Sequence, residues 1–278
     1  MSGDPRIEVL PDPEATSRAA AAAIADGLRE AIDERGRADW ATTGGSTPVG
    51  IYRELSVRPL RDEIAWHAVH VWWGDDRYVP RDHPLSNVLP LDQVLVSAAA
   101  RAGLSGTGEY AVDVDLGTEP GVPLPTSNIH APRMGDAIGA AAGTEWVATE
   151  YADRLRDAAL PTSDDGFPIL DIVLVGVGPD GHVLSVFPGS ALFDSEAWVG
   201  AVPAPTHIEP HIARISLHPR ILEVARRPIV VVHGAAKAEM VAAVLGGERD
   251  VRRWPAQLAR REGATWFLDK AAAASLPG

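Results

Sequence analysis

Hydrophobic and polar positions along the chain switch between a helical and an extended pattern. Within residues 13–35, apolar side chains recur at four-residue spacing from Ile24 to Ile32, which is typical of a helix with one buried face. Asp12 suits the N-cap of this helix, and Gly36 suits its C-terminal end. The pattern predicts a long amphipathic helix near the start of the chain.

Short apolar runs without a helical period predict buried strands. They cover residues 39–43, 70–73, 169–175 and 229–232. The last run leads into a predicted helix over residues 235–245. Because strands alternate with helical stretches, we predict an α/β fold, with a mainly parallel, Rossmann-like sheet in three layers and helices on both faces.

One stretch interrupts this alternation. Residues 103–132 are rich in Gly, Pro, Thr and Asp and show no clear period, which predicts a long surface excursion. The alternation resumes after it, and no internal repeat is visible. We therefore expect a single main domain over residues 1–278.

Composition narrows the classes of function. The chain has no cysteine, which excludes disulfides, thiolate metal ligands and cysteine nucleophiles. Its formal net charge of −13 argues against nucleic-acid partners and anionic membrane surfaces. The apolar runs fall short of the about 20 residues that a spanning helix needs, and no targeting segment is evident. We expect a cytoplasmic protein whose partner is a small molecule; the sequence leaves monomer and small homo-oligomer open.

The segment Thr43–Pro48 joins a predicted strand to the start of a helix. Gly44 and Gly45 allow backbone N–H groups to approach an anion, and Ser46 and Thr47 add hydroxyl donors. The spacing fits neither a Walker A loop nor a nucleophile elbow. The segment is either an anion-binding loop or an ordinary capped helix start.

Residues 176–181 follow a buried strand and formally match G-x-G-x-x-G. A dinucleotide site needs a long helix there, and Pro188 interrupts the chain too soon, so we reject that interpretation. The strand end instead displays Asp180 and His182 where ligands of parallel sheets bind. Histidine is a natural general base near neutral pH, and a nearby carboxylate can orient it. A purely structural histidine is the alternative.

Three more basic or acidic positions could carry chemistry. Another predicted strand leads into residues 75–77, where Asp75 and Asp76 precede Arg77. Adjacent carboxylates are costly unless they are separated, paired or metal-bound, so they mark either a site or a solvated turn in which the arginine pairs with one of them.

Arg214 opens a predicted strand over residues 215–217, and Lys237 begins a predicted helix. Lys237 is one of only two lysines beside 23 arginines, which suggests a role that arginine cannot fill; an exposed lysine on a helix surface is the alternative. Residues 207–211 resemble a zinc-protease motif, but the glutamate is misplaced and Pro210 would break the required helix, so we do not interpret them as a metal site.

Together these segments resemble the 6-phosphogluconolactonase family, which is related to the glucosamine-6-phosphate isomerases and deaminases. The matching segments, in the family's order, are 43–48 (TGGSTP), 73–80 (WGDDRYVP) with 86–87 (SN), 176–189 (GVGPDGHVLSVFPG), 214–217 (RISL), 234–237 (GAAK) and 266–269 (WFLD). The resemblance implies an enzyme that hydrolyses 6-phospho-D-glucono-1,5-lactone to 6-phosphogluconate, in the oxidative pentose phosphate pathway.

The resemblance also implies roles for residues. His182 would be the general base on the water that attacks C1, with Asp180 or Asp75 orienting its ring, and Arg77 would contact the oxyanion or a substrate hydroxyl. The residues implied to bind the phosphate are Gly44, Gly45, Ser46, Thr47, Arg214 and Lys237. No metal and no organic cofactor is implied.

Two other functions compete. The deaminase branch carries a glutamate five residues after the histidine, where this chain has Phe187. That branch also has D-E-Y where this chain has Asp-Asp-Arg, at residues 75–77. Both differences favour the lactonase. A catalytically silent sugar-phosphate sensor is the third hypothesis, and the presence of Asp180, His182 and Arg77 argues against it. This chain also lacks the family's K-P-P-P run, having Glu-Pro-His-Ile-Ala at residues 209–213.

Overall fold

Two sheets organise the part of the chain that the computed structural model describes, residues 3–45, 47–104 and 119–277. Their strands are β1 (Arg6–Leu10), β2 (Ala38–Thr42), β3 (Val69–Trp73), β4 (Asp75–Arg77), β5 (Ile172–Val175), β6 (Val199–Val202), β7 (Arg214–Leu217), β8 (Arg227–Val232) and β9 (Thr265–Asp269). Six strands form a sheet in the order β1-β9-β8-β5-β2-β3, with every neighbouring pair parallel. The other three form an antiparallel sheet in the order β4-β7-β6.

Helices cover both faces of the parallel sheet. They are α1 (Pro13–Arg35), α2 (Thr47–Leu55), α3 (Leu60–Glu63), α4 (Leu89–Val94), α5 (Ala98–Leu104), α6 (Met134–Gly139), α7 (Gly143–Asp157), α8 (Arg220–Val224) and α9 (Ala238–Gly246). One apolar core includes buried residues of α1 and α2, and a second core includes those of α7 and α9. The predicted three-layer α/β fold is confirmed. No helix within the described residues is long and apolar enough to cross a membrane.

Local sequence signals set the element ends. The Asp12 side chain accepts a hydrogen bond from the backbone N–H of Ala15 at 2.8 Å, and Gly36 ends α1 with a φ of 74°. The predicted helix over residues 13–35 is confirmed. The predicted strand at 169–175 is too long, because β5 begins only at Ile172. The predicted helix at 235–245 is a 3₁₀ turn over Ala235–Lys237 followed by α9.

The antiparallel sheet was not predicted. Asp75, Asp76 and Arg77 form β4, which pairs with β7 so that Arg77 lies opposite Arg214. The chain changes sheets at Gly74, where an added Cβ would lie 2.4 Å from Cδ2 of Leu184. This pairing places acidic and basic side chains from distant segments beside each other.

The excursion predicted at 103–132 lies partly outside the described residues, which omit 105–118. Its described end is anchored in the fold. Val122 forms an isolated bridge with Val96, and Ile129 forms one with Val71 of β3. Val122 is fully buried.

Candidate functional site

A cavity of about 360 Å³ lies where parallel strands β2, β5 and β8 end. Its lining includes the predicted site residues Gly44, Gly45, Thr47, Asp75, Arg77, His182, Arg214 and Lys237. Asp180 is outside this lining but contacts His182. Ser46 lies outside the described residues. The glycine-rich loop and the Asp-Gly-His turn therefore share one edge of the sheet.

An imidazole–carboxylate pair stands at the end of β5. Nδ1 of His182 donates to Oδ1 of Asp180 at 2.5 Å, and the backbone N–H of His182 donates to the same oxygen at 3.2 Å. A Cβ added to Gly178 would lie 2.0 Å from that Nδ1, so only glycine leaves room for the ring. Gly181 has a φ of 79°, a conformation that glycine adopts readily. The second and third glycines of the false dinucleotide motif thus serve different purposes: Gly178 makes space, and Gly181 makes the turn.

Asp180 has a second imidazole partner that the sequence did not reveal. Nε2 of His207 donates to Oδ2 of Asp180 at 3.0 Å. Burial alone would raise the pKa of Asp180, but the hydrogen bonds from His182 and His207 outweigh it and hold that pKa well below its usual range. Asp180 is therefore ionised across the neutral pH range.

Asp75 contacts neutral groups instead. Its Oδ2 accepts from the hydroxyl of Ser185 at 2.6 Å, and its Oδ1 accepts from Nδ2 of Asn87 at 3.1 Å. Of the two carboxylates that could orient His182, it is Asp180 that contacts the ring. Asn87 was not a predicted site residue, although it lines the cavity.

Asp76 is almost completely buried and faces backbone donors. Its Oδ1 accepts from the N–H groups of Arg77 at 2.8 Å and Asn87 at 2.7 Å. Burial raises the pKa of Asp76 to about 7, against the effect of these hydrogen bonds. The guanidinium of Arg77 donates to the carbonyl of Leu85 at 2.7 Å. The alternative of a solvated turn is wrong, because Asp75 and Asp76 are 4% and 1% exposed.

Three cations surround the cavity. Arg214 is 3% exposed, and its guanidinium carbon lies 5.3 Å from the centroid of the Phe187 ring. Burial lowers the pKa of Arg214, and the charge of Asp75 opposes this. The buried Nε atoms of Arg77 and Arg214 have no hydrogen-bond partner among the described residues. Both arginines line the cavity, and guanidinium groups are suited to an anionic ligand.

Lys237 reaches the same cavity from the turn after β8. Its Nζ donates to the carbonyl of Val177 at 2.7 Å, so the alternative of an exposed lysine on a helix surface is wrong. Burial lowers the pKa of Lys237, and the charge of Asp180 opposes the effect.

The glycine-rich loop supplies backbone groups at the start of α2. A Cβ on Gly44 would lie 1.8 Å from Oδ1 of Asn87, so the loop lies directly against that side chain. Gly45 has a φ of 79°, and α2 begins at Thr47. Backbone N–H groups at a helix start favour negative charge, which agrees with the predicted anion-binding loop.

Phe187 occupies the position at which the deaminase branch carries a glutamate. Its ring centroid lies 4.6 Å from that of His182 and 5.5 Å from that of His207. Phe187 is 7% exposed. The neighbourhood of His182 on this side is therefore apolar.

Fold and cavity together are typical of α/β proteins whose ligands bind where parallel strands end. Residues 11–267 match the family described as glucosamine-6-phosphate isomerases/6-phosphogluconolactonase. The chain belongs to this family. The predicted resemblance is confirmed.

Individual relatives are similar over their full lengths. The chain is 32% identical to the 6-phosphogluconolactonase of Streptomyces coelicolor, over 100% of this chain and 97% of that protein. It is also 32% identical to the 6-phosphogluconolactonase of Mycobacterium tuberculosis, over 98% of each. The structure of 6-phosphogluconolactonase from Trypanosoma brucei is similar with a TM-score of 0.78 at 26% identity, covering 100% of both chains. These matches confirm the prediction of an enzyme of this family.

Proposed function

We propose that this chain hydrolyses 6-phospho-D-glucono-1,5-lactone to 6-phosphogluconate. The observation that carries the proposal is the short contact between Nδ1 of His182 and Asp180 at the wall of a cavity that also receives Lys237 and Arg214. Because Nδ1–H is held by the carboxylate, Nε2 keeps its lone pair and can accept a proton. The names of the full-length relatives support the same reaction.

The reaction starts with a water molecule activated by His182. Nε2 takes a proton from the water while the oxygen attacks C1 of the lactone, which gives a tetrahedral intermediate with a negative oxygen. Arg77 stabilises that oxygen or a neighbouring hydroxyl. The bond between C1 and the ring oxygen then breaks, and the imidazolium returns its proton to the ring oxygen. Asp180 stabilises the imidazolium between the two steps.

The phosphate binds at the basic end of the cavity. Lys237 and Arg214 neutralise its charge, and the loop formed by Gly44, Gly45 and Thr47, with Ser46, supplies N–H and hydroxyl donors. These groups provide a local positive site in a chain whose net charge is −13, which would otherwise repel a phosphorylated substrate.

A coupled assay tests the proposal. Freshly prepared lactone is supplied to the purified chain, and formation of 6-phosphogluconate is followed through its dehydrogenase, with spontaneous hydrolysis subtracted. A parallel reaction offers glucosamine 6-phosphate and measures release of ammonia. We expect hydrolysis of the lactone well above the spontaneous rate and no ammonia. Ammonia release without lactone hydrolysis would place the chain in the deaminase branch, despite Phe187.

A further inference from the structure

The loop that joins β6 to β7, residues 203–213, brings a second histidine to the imidazole–carboxylate pair. His182 donates to Oδ1 of Asp180 at 2.5 Å, and His207 donates to Oδ2 at 3.0 Å. The side chain of His182 is 16% exposed, whereas that of His207 is 53% exposed. The carboxylate therefore connects an enclosed imidazole at the cavity with an imidazole in contact with solvent.

Neighbouring contacts fix this arrangement. The ring of Phe187 meets His182 at 4.6 Å and meets His207 edge-on, at 5.5 Å and an interplanar angle of 83°. The loop is also tied to itself, because Nδ1 of His211 contacts the carbonyl of Pro205 at 2.6 Å. His207 thus reaches Asp180 from a folded loop. It lies just before residues 209–213, where this chain lacks the family's K-P-P-P run.

We propose that His207 is a positioning residue that holds the carboxylate of Asp180 and, through it, sets the orientation and proton affinity of His182. The inference rests on the proposed role of His182 as the base. Without His207, Asp180 would keep donors on Oδ1 alone, from the ring and the backbone N–H of His182, whereas a donor on each oxygen fixes the plane of the carboxylate. A fixed Asp180 keeps Nδ1 of His182 protonated and leaves Nε2 free to act.

The sign of the electrostatic effect follows from the shared carboxylate. A hydrogen bond or a positive charge from His207 takes up part of the negative charge that would otherwise stabilise the imidazolium of His182. Removing His207 therefore raises the proton affinity of His182. Among the residues that the structure describes, Arg214 at the start of β7 and Lys237 after β8 also interact electrostatically with Asp180, and both are unchanged in the variants below.

Two variants separate positioning from charge. We expect His207→Ala to lower kcat about threefold to tenfold and to move the acidic limb of the kcat/KM profile upward by about half a pH unit. His207→Gln retains an N–H that can reach Oδ2, so we expect it to recover most of the lost kcat. His211→Asn is the matched control. It changes a histidine of the same loop that does not contact Asp180, and the asparagine amide can keep the hydrogen bond to the carbonyl of Pro205, so both quantities should be unchanged.

A measurement without substrate keeps this inference separate from the proposed function. The ring signals of His182 are followed by NMR across pH in the parent and in each His207 variant, with thermal melts to verify folding. An upward shift in His207→Ala supports the inference, even if the parent proves inactive on the lactone. An unchanged His182 titration in folded His207→Ala overturns it, and so does a loss of kcat accompanied only by a lower Tm.

Discussion

The two walls of the cavity hold carboxylates in opposite ways. On the wall built by the parallel sheet, the lining residue His182 contacts Asp180 behind it, which is partly exposed and bonded by two imidazoles that can change charge. On the wall built by the antiparallel sheet, Asp75 is buried and bonded by Ser185 and Asn87, which cannot change charge near neutral pH. The difference shows that the partners of a carboxylate decide its role: one wall is suited to moving protons, and the other to holding shape.

The largest expected effect comes from removing the imidazole on the parallel-sheet wall. His182→Ala should lower kcat for lactone hydrolysis by at least about 100-fold, because general-base assistance is lost. Initial rates above the spontaneous background measure it. If His182→Ala keeps nearly the parent rate of lactone hydrolysis, His182 is not the general base. The parallel-sheet wall then has no proton-transfer role that separates it from the other wall.

A matched pair of aspartate variants compares the walls directly. Asp180→Asn should lower kcat about 10-fold to 100-fold and lower the proton affinity of His182, because the imidazolium loses its carboxylate. Asp75→Asn should leave the His182 titration in place and instead lower the free energy of unfolding by about 1–3 kcal/mol, because a buried amide N–H₂ then faces donors. Urea unfolding and NMR titration of both variants provide the measurements. A displaced His182 titration in Asp75→Asn would remove the distinction.

The phosphate end of the parallel-sheet wall should respond through binding. Lys237→Ala should raise KM about 10-fold with little change in kcat, because the phosphate contact is the same in the ground state and the transition state. Lys270→Ala is the matched control, since it removes the other lysine of the chain, at an exposed position. If only kcat falls, the lysine acts at the reacting carbon and not on the phosphate.

The last expected effect concerns the pH dependence of stability on the antiparallel-sheet wall, not activity. The folded-state pKa of Asp76, about 7, lies above its unfolded value, so the folded state binds an extra proton between these two pKa values. The protonated carboxyl of Asp76 contributes fully to the free energy of unfolding below its unfolded-state pKa. This contribution is lost as the pH rises towards 7, by up to about 1.4 kcal/mol per pH unit. Asp76→Asn should remove this slope.

Urea unfolding of the parent and Asp76→Asn at pH 5, 6 and 7 measures the difference between them, which cancels the contributions of other groups. Equal slopes in the two proteins would show that Asp76 is already ionised in the folded state, as Asp180 is. The antiparallel-sheet wall would then hold a charge that hydrogen bonds stabilise despite its burial.

The sequence was sufficient for the parallel-sheet wall because each of its signals is local. Apolar runs predict the strands, and His182 and Lys237 follow β5 and β8 directly, so the sheet topology alone brings them to one edge. The helix α1 was predictable for the same reason, since its cap and its apolar spacing lie within one segment.

The antiparallel-sheet wall was only partly predictable because its signals are not local. Strand β4 is three charged residues long and has no apolar period, so its pairing with β7 cannot be seen in the sequence. Asn87 is neutral and gave no electrostatic signal, although it contacts both acidic residues of β4. His207 was noticed only as part of a false metal motif, and its contact with Asp180 depends on how residues 203–213 fold.

Gly178 contributes empty space to the site, and not a charged or hydrogen-bonding side chain. One methyl group at this position would overlap the ring of His182, so Gly178→Ala would push the base off its carboxylate while every titratable group of the chain remained present. The reaction thus depends on a reserved volume beneath the imidazole as well as on the imidazole itself. Gly178 has no acidic, basic or donor side chain, yet the position of the His182 ring depends on it.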